Sequence, residues 1–245
     1  MGLIQQLLTK TRIKLIKLVI NTNERLIFER KLYRFYKKNA KKKVFFDVGA
    51  NHGQTIDFFL RLNKLAEIYA FEPNRGLFEK LVEKYSDFPN VKLFMLGVSD
   101  EDGVKTFYEN VFDFTSTFEI VNENSTFLEK KRKVLGVKSG NLIKDSYEVE
   151  VVKLSTFIKN MKINQIDILK IDTEGHELAC LNGLFDSKME CDIDIIQTEK
   201  LNGDMYNTNF NSIVDLLKVH NFEISKEIKH GFGDFEDVVF LNNER

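Results

Sequence analysis

Short apolar runs alternate with amphipathic segments along the chain from residue 44 onward. Continuous hydrophobicity over such short stretches is typical of buried parallel strands, and the runs lie at 44–48, 67–72, 91–96, 166–171 and 193–198. Apolar residues at helical spacing follow them, at 54–62, after Pro73, at 175–185 and at 210–220. Alternating strands and helices predict an open α/β sheet, which binds ligands at the carboxyl ends of its strands.

Two regions depart from this alternation. The end of the chain, at 222–226 and 237–241, predicts an antiparallel strand pair. In the middle, 104–108 and 147–154 predict strands, and the sequence between them is charged and glycine-containing. A connection of this length is usually functional or disordered. Residues 110–146 are therefore interpreted either as a substrate lid or as a mobile surface insertion.

Composition places the chain among ordinary globular proteins. Hydrophobic residues make up 43% and charged residues 30% of the 245 residues, which excludes disordered and collagen-like chains. The sequence has no run of about 18 apolar residues, so it predicts no membrane-spanning helix. Cys180 and Cys191 cannot form a disulfide framework and lack the spacing of a zinc site. We expect a protein of a reducing compartment, the cytoplasm.

Charge divides the chain into two parts. Residues 1–43 carry 13 Lys/Arg against two Asp/Glu, whereas the remainder carries 23 Lys/Arg against 35 Asp/Glu. Helical patterns at 3–20 and 24–38 predict a basic helical extension at 1–43 that precedes one domain at 44–245. One interpretation is peripheral contact with the inner face of a membrane. The other, which we prefer, is a helical pair packed on the body with its charges solvated.

The first strand ends in a glycine-containing loop, Asp47-Val48-Gly49-Ala50-Asn51-His52-Gly53. Glycines between a strand and a helix let a ligand approach the backbone closely. The spacing differs from the GxGxxG of a dinucleotide site, and the carboxylate of Asp47 would repel a phosphate. An acidic residue here suits a cationic ligand such as S-adenosylmethionine, which carries a sulfonium, an ammonium and no phosphate.

Acidic residues also follow the next two strands. Glu72 ends the second strand, where a carboxylate can accept hydrogen bonds from both hydroxyls of a ribose. Ser99 and Asp100 follow the third strand, where an adenine edge would lie. A turn-forming Ser-Asp pair explains these two residues equally well.

The densest group of charged residues follows the fourth strand, in Leu169-Lys170-Ile171-Asp172-Thr173-Glu174-Gly175-His176-Glu177. Burying such groups without partners is costly, so their place at the carboxyl edge of the sheet predicts a site of chemistry. Helix capping would explain one carboxylate but not the cluster. The candidates for a general base are His176, Asp172 and Glu174.

A metal site at the same edge is a further interpretation of these carboxylates. Asp172 and Glu199 end adjacent strands of the expected sheet, so both could hold one Mg²⁺ that polarises an acceptor hydroxyl. The alternative is a carboxylate pair that serves as base and hydrogen-bond acceptor. We prefer the pair without a metal, because only two convincing ligands are visible.

Together these motifs resemble the FkbM family of methyltransferases. The resemblance covers residues 44–200 through DVGANHG, FEPN, the VSD stretch with its following DG, LKIDTEGHE and Gln197-Thr198-Glu199. It implies a class I fold: a Rossmann-like, seven-stranded, mostly parallel sheet with the antiparallel C-terminal pair. It also implies that S-adenosylmethionine is held by Asp47, Gly49, Ala50, Asn51, Gly53 and Glu72, with Ser99 and Asp100 beside the adenine. The active-site edge implied by the resemblance comprises Asp172, Glu174 and Glu177, and the chemistry of the residues adds His176 and Glu199 as catalytic candidates.

The expected function is S-adenosylmethionine-dependent O-methylation of a hydroxyl, on a sugar or surface glycan precursor. A methyltransferase of another small molecule or of nucleic acid is an alternative, although the acidic body favours no nucleic-acid partner. A degenerate fold that acts as a binding or scaffold module is a further alternative. The sequence predicts neither the acceptor nor the oligomeric state.

Overall fold

The computed structural model describes residues 29–41, 43–110, 116–122, 125–126, 128–129, 143–187, 191–201, 204–206, 209–229 and 235–244. The helix predicted at 3–20 lies outside the described residues. So do the start of the helix predicted at 24–38 and most of the predicted lid at 110–146.

The main sheet has seven strands. They are β1 (Val44–Val48), β2 (Glu67–Phe71), β3 (Val91–Phe94), β8 (Ile168–Ile171), β10 (Ile195–Leu201), β11 (Phe222–Lys229) and β12 (Phe235–Asn242), in the spatial order β11-β12-β10-β8-β1-β2-β3. Neighbours from β10 to β3 are parallel, and β12 runs antiparallel to both β10 and β11. The predicted α/β, Rossmann-like sheet with its antiparallel C-terminal pair is thus confirmed.

Register brings the acidic motifs to one edge of this sheet. Val48 lies between Phe71 of β2 and Ile171 of β8, its partners on either side. Glu72 and Asp172 are the residues that directly follow these two partners. The glycine loop, Glu72 and Asp172 therefore lie together at the carboxyl ends of three adjacent parallel strands.

Helices cover both faces of the sheet. They are α1 (Glu29–Asn39), α2 (Gln54–Leu62), α3 (Arg75–Lys84), α4 (Leu154–Met161), α5 (Glu177–Leu184) and α6 (Phe210–Val219). Successive strand residues point to opposite faces, so Phe45 packs in a core with α1 to α3 while Phe46 packs in a core with α4 to α6. These two apolar layers hold the strand ends rigidly at the site.

Short additional strands flank the main sheet. β4 (Gly97–Val98), β5 (Gly103–Asn110) and β6 (Ile143–Val152) form a three-stranded sheet, and β7 (Gln165–Ile166) pairs with β9 (Asp192–Ile193). The run predicted as one strand at 166–171 is divided at Asp167. The Asp167 carboxylate accepts hydrogen bonds from the backbone N–H groups of Lys43 and Val44. The run changes partner at this residue, because Ile166 pairs with β9 and Ile168 pairs with β1.

Two predicted boundaries in the middle of the chain were wrong. The strand predicted at 147–154 ends at Val152, and Leu154 begins α4, a helix that the sequence reading missed. Leu154, Phe157 and Ile158 are buried on one face of this helix. The predicted lid extended to residue 146, but β6 already begins at Ile143 because it pairs with β5.

The described part of the basic extension packs on the body. Leu32 and Tyr36 of α1 are buried, and the Tyr36 hydroxyl donates a hydrogen bond to the Gln197 side chain of β10. The opposite side of α1 carries exposed basic residues, Arg30, Lys31, Arg34, Lys37 and Lys38. Among the described helices, none is long and apolar enough to cross a membrane.

Candidate active site

The glycine loop after β1 needs unusual backbone geometry. Gly49 and Gly53 have φ angles of 87° and 79°, and Asn51 also lies in the left-handed region, at 49°. A Cβ at Gly49 would lie 2.0 Å from the carbonyl oxygen of Asp172. Because no side chain fits there, the loop packs directly against the end of β8 and the two motifs share one site.

Asp47 is a fully buried carboxylate at the end of β1. Neither of its oxygens has a hydrogen-bond partner among the described residues, although the Thr55 hydroxyl is near enough to lower its pKa slightly. Burial raises the pKa of Asp47 to about 7, opposed by the charge of Lys170. An unsatisfied buried anion is costly, and a cationic or hydrogen-bond-donating ligand would relieve that cost.

Glu72 is held in a fixed orientation at the end of β2. Its Oε2 accepts a hydrogen bond from the backbone N–H of Asn51 at 2.6 Å, and its Oε1 accepts one from Asn74 at 2.8 Å. Burial raises the pKa of Glu72 to about 7, although these two backbone donors oppose the shift. Each oxygen retains a second lone pair, so the carboxylate can accept from two vicinal hydroxyls.

Ser99 and Asp100 follow β4. The fully buried Ser99 hydroxyl lies 2.9 Å from Asp100 Oδ1 and 2.9 Å from His176 Nε2. Although burial acts in the opposite direction, the hydrogen bond from Lys105 holds the pKa of Asp100 below its usual value. Asp100 is exposed and remains available at the rim of the site.

Asp172, Glu174 and Glu199 form a carboxylate cluster. One oxygen from each lies within 4.8 Å of the others. Lys170 donates to Asp172 Oδ2 at 2.7 Å, and the Tyr206 hydroxyl lies 3.5 Å from Glu174 Oε2. Glu199 Oε2 is buried and has no hydrogen-bond partner among the described residues. Burial, together with the charges of Asp172 and Glu174, raises the pKa of Glu199 well above its usual value.

Glu177 organises the turn that carries this cluster. Its Oε1 accepts hydrogen bonds from the backbone N–H groups of Thr173 and Gly175, at 2.9 and 3.1 Å, and from the Thr173 hydroxyl. The turn itself places Glu174 and Gly175 at positive φ. Glu177 therefore stabilises the backbone of the turn and fixes the conformation of residues 173–175.

His176 is buried rather than directed to solvent. Its Nδ1 lies 2.6 Å from Glu119 Oε1, its Nε2 contacts Ser99, and its ring packs against Phe118 at 5.2 Å between centroids. Both ring nitrogens are thus engaged. An acceptor hydroxyl could reach one of them only by displacing a protein partner.

The structure brings most of the predicted residues together, pairs Lys170 with Asp172 and adds two residues that sequence reasoning missed. Lys170 was part of the motif, yet its ion pair with Asp172 requires the strand geometry. Tyr206 and Glu119 come from distant segments that contact the Asp172–Gly175 turn. No local motif marks either residue, so a single sequence offered no signal for them.

The fold and the loop chemistry together define a class. The sheet has seven strands, and the antiparallel strand β12 lies between β10 and β11. This arrangement, with buried acidic residues at the ends of β1 and β2, is the class I methyltransferase fold. The family model described as the methyltransferase FkbM domain matches residues 47–224. The chain belongs to this family of S-adenosylmethionine-dependent methyltransferases.

Individual relatives are distant. The AMB antimetabolite synthetase AmbE of Pseudomonas aeruginosa is 26% identical over 203 residues, which is 74% of this chain and 10% of that protein. The chain thus spans about a tenth of the length of this curated relative.

Solved structures give similarly remote likenesses. A SAM-dependent methyltransferase from Aquifex aeolicus is 10% identical with a TM-score of 0.46, covering 94% of this chain and 98% of that one. TrmK of M. capricolum, in complex with S-adenosylhomocysteine, is 14% identical with a TM-score of 0.45, covering 86% and 67%. The family assignment rests on the match of the family model to residues 47–224.

Proposed function

We propose that this protein transfers a methyl group from S-adenosylmethionine to a hydroxyl group, on a sugar or a glycan precursor. The main support for this proposal is the carboxylate cluster. In it, Glu199 has a buried oxygen that lacks a hydrogen-bond partner among the described residues. A hydroxyl needs a group that takes its proton as it becomes a nucleophile. Glu199 supplies that group beside the loop that binds the cofactor.

The residues around the glycine loop fit the cofactor. S-adenosylmethionine supplies an electrophilic methyl group on a positively charged sulfur. Asp47 offers a buried anion to the cationic end of this molecule, and Glu72 offers two oriented oxygens to the ribose hydroxyls. Gly49 and Gly53 leave the backbone open to close approach. Asp100 lies at the rim, where the adenine amino group would be met.

Glu199 can take the proton of the substrate hydroxyl only when its own carboxylate is ionised. Since burial and neighbouring carboxylates raise its pKa, it holds a proton at pH values where an ordinary glutamate is ionised. A raised pKa also makes the carboxylate a stronger base once it is ionised. We therefore expect the rate to rise with pH through the pKa of Glu199, well above that of an exposed glutamate.

The chemistry of the cluster supports a neutral, hydroxyl-rich acceptor. Asp172, Glu174 and Glu199 are hydrogen-bond acceptors when ionised, and the Tyr206 hydroxyl lies beside them. Such groups suit sugar hydroxyls, which donate hydrogen bonds. The same carboxylates would repel a phosphate backbone, which disfavours a nucleic-acid acceptor.

The experiment is methyl transfer from labelled S-adenosylmethionine to a panel of nucleotide sugars and polysaccharides, with the methylated atom located by mass spectrometry. Glu199→Gln should lower kcat by about 10²- to 10⁴-fold. Glu223→Gln, at an exposed position of β11, is the matched control. Full activity of Glu199→Gln, or a methyl group found on nitrogen or carbon, would contradict the proposal.

A magnesium-assisted form of the same reaction is the second candidate. Glu174 joins Asp172 and Glu199, so the structure provides three carboxylates where the sequence suggested two. Carboxylate oxygens are ligands that suit Mg²⁺, so these three residues would hold the ion, and it would polarise the acceptor hydroxyl. Activity measured after chelation and again after adding Mg²⁺ decides between the forms. The metal-free form predicts equal rates, whereas a loss that Mg²⁺ restores establishes the magnesium-assisted form.

A further inference from the structure

A chain of three side chains links distant segments beside the site. Ser99 Oγ lies 2.9 Å from His176 Nε2, and His176 Nδ1 lies 2.6 Å from Glu119 Oε1. His176 is only 4% exposed, whereas the side chain of Glu119 is 40% exposed. The buried imidazole thus connects a hydroxyl in the interior with a carboxylate at the surface.

Glu119 belongs to a segment that we call the strap, residues 116–122. The strap forms an isolated β-bridge to Tyr108 through Thr117, and the Thr117 hydroxyl donates to the carbonyl of Thr173 at 3.2 Å. At its other end, the backbone N–H of Asn122 donates to the carbonyl of Met205 at 2.9 Å. The strap therefore crosses the turn that carries the carboxylate cluster, on the proposed acceptor side.

The other end of the chain is the turn at Ser99–Asp100, on the proposed cofactor side. The Ser99 hydroxyl contacts Asp100 Oδ1, and the Ser99 backbone N–H donates to Val152. Helix α5 presses against the same turn, since a Cβ at Gly183 would lie 2.0 Å from the Ser99 carbonyl oxygen. The Ser99 hydroxyl also contacts His176, so the imidazole joins this turn to the strap.

We infer that Glu119 is a positioning residue that acts through His176 on the Ser99–Asp100 turn, and so couples the strap to cofactor binding. Glu119 orients the imidazole through Nδ1, and the imidazole in turn fixes the Ser99 hydroxyl through Nε2. In this arrangement His176 is a bridge with both nitrogens in use, and the proton of the acceptor goes elsewhere. The inference rests on the proposed function, because it takes Ser99 and Asp100 to lie beside the bound cofactor.

The test is calorimetric titration with S-adenosylhomocysteine, the demethylated cofactor. Glu119→Ala should weaken its binding about tenfold, although Glu119 does not belong to the cofactor loop. Glu119→Gln keeps an acceptor oxygen for His176 and should restore most of the affinity. Ile120→Ala is the matched control, since Ile120 lies in the same strap, is 77% exposed and has no part in the chain of contacts; it should bind as the unmodified protein does.

A double-mutant cycle separates positioning from general support of the fold. If Glu119 acts through His176 on Ser99, then Glu119→Ala combined with Ser99→Ala should bind no more weakly than Ser99→Ala alone. Fully additive losses, or unchanged affinity of Glu119→Ala, would overturn the inference. If Glu119→Ala does not fold, the cycle is run with Glu119→Met, which keeps a side chain of similar length but removes the oxygen that faces His176, and is judged by the same criterion. Failure of the unmodified protein to bind S-adenosylhomocysteine would instead overturn the proposed function.

Discussion

Asp47 and Glu72 are carboxylates whose burial works against the stability of the fold. Burial raises the pKa of each to about 7. Below about pH 4 such a group is protonated in both the folded and the unfolded chain, and its shift has no effect. As the pH rises from there to about 7, only the unfolded chain releases the proton readily, so the free energy of unfolding falls. We expect bound cofactor to offset this loss.

Asp47→Asn tests this opposition between stability and binding. At pH 8 the variant should unfold about 5 °C above the unmodified protein, because the buried charge is removed. It should bind S-adenosylmethionine about 10- to 100-fold more weakly, because a charge-assisted contact is lost. Thermal unfolding and calorimetry measure the two effects. Asp87→Asn, at an exposed site, should change neither; a stable variant with unchanged affinity would contradict the role of Asp47.

Sequence could predict the acidic residues at strand ends but not their partners. Asp47 and Glu72 follow apolar runs, and the edge of a parallel sheet collects such positions. Glu119 and Tyr206 reach the site from segments whose paths are set by tertiary contacts, with no local motif. The burial of His176 likewise follows from tertiary contacts, since Glu119 and Phe118 cover it.

The glycine loop packs closely against the end of β8, and this packing fixes the position of the loop in the site. Gly49→Ala adds a Cβ that would lie 2.0 Å from the Asp172 carbonyl oxygen, at a φ of 87° that alanine rarely adopts. We expect this substitution to cost a few kcal/mol or to prevent folding, and to abolish cofactor binding in any folded fraction. Chemical denaturation and calorimetry provide the measurements.

Gly76→Ala provides the comparison for this prediction. Gly76 lies in α3, where the nearest atom to an added Cβ is Asn74 Oδ1 at 3.5 Å. Alanine there should stabilise the helix by about 0.5–1 kcal/mol and leave binding unchanged. Equal behaviour of the two alanine variants would contradict the proposed packing of the loop against β8.

Strands and helices could be predicted from the sequence where the local pattern of apolar residues agrees with the pairing of the strands in the sheet. The runs at 44–48 and 67–72 are central strands that apolar layers cover on both sides, so their sequence alone identifies them. Helix α4 follows β6 after one residue, and apolar residues continue across the junction, so the pattern predicted a longer strand. The division at Asp167 reflects a change of partner strand, from β9 to β1, which no local pattern reveals.

At the scale of the whole molecule, α1 completes the core on one face of the sheet. Tyr36 is fully buried against Phe58, and its hydroxyl binds Gln197 in the middle of β10. A variant that begins at residue 44 should therefore unfold at a lower temperature than one that begins at residue 29, by about 5–10 °C. Thermal unfolding measures the difference, and coincident transitions would contradict the role of α1 in the core.

The same boundary tests the two interpretations of the basic extension. The buried face of α1 supports a helix packed on the body, with its exposed Lys and Arg side chains in solvent. This interpretation predicts that the full chain and the variant that begins at residue 44 sediment equally with phosphatidylglycerol vesicles. Co-sedimentation of the full chain alone, lost at high salt, would establish peripheral membrane contact instead.

We propose that the edge formed by Asp47, Glu72 and the carboxylate cluster binds S-adenosylmethionine and directs its methyl group to a hydroxyl. Calorimetric titration of the purified protein with S-adenosylmethionine and S-adenosylhomocysteine, with and without Mg²⁺, tests it most directly. We expect micromolar binding of both compounds, weakened about 10- to 100-fold in Asp47→Asn and sharply weakened in Glu72→Ala. Absence of binding under both conditions would contradict the account and favour a methyltransferase fold that serves as a binding or scaffold module.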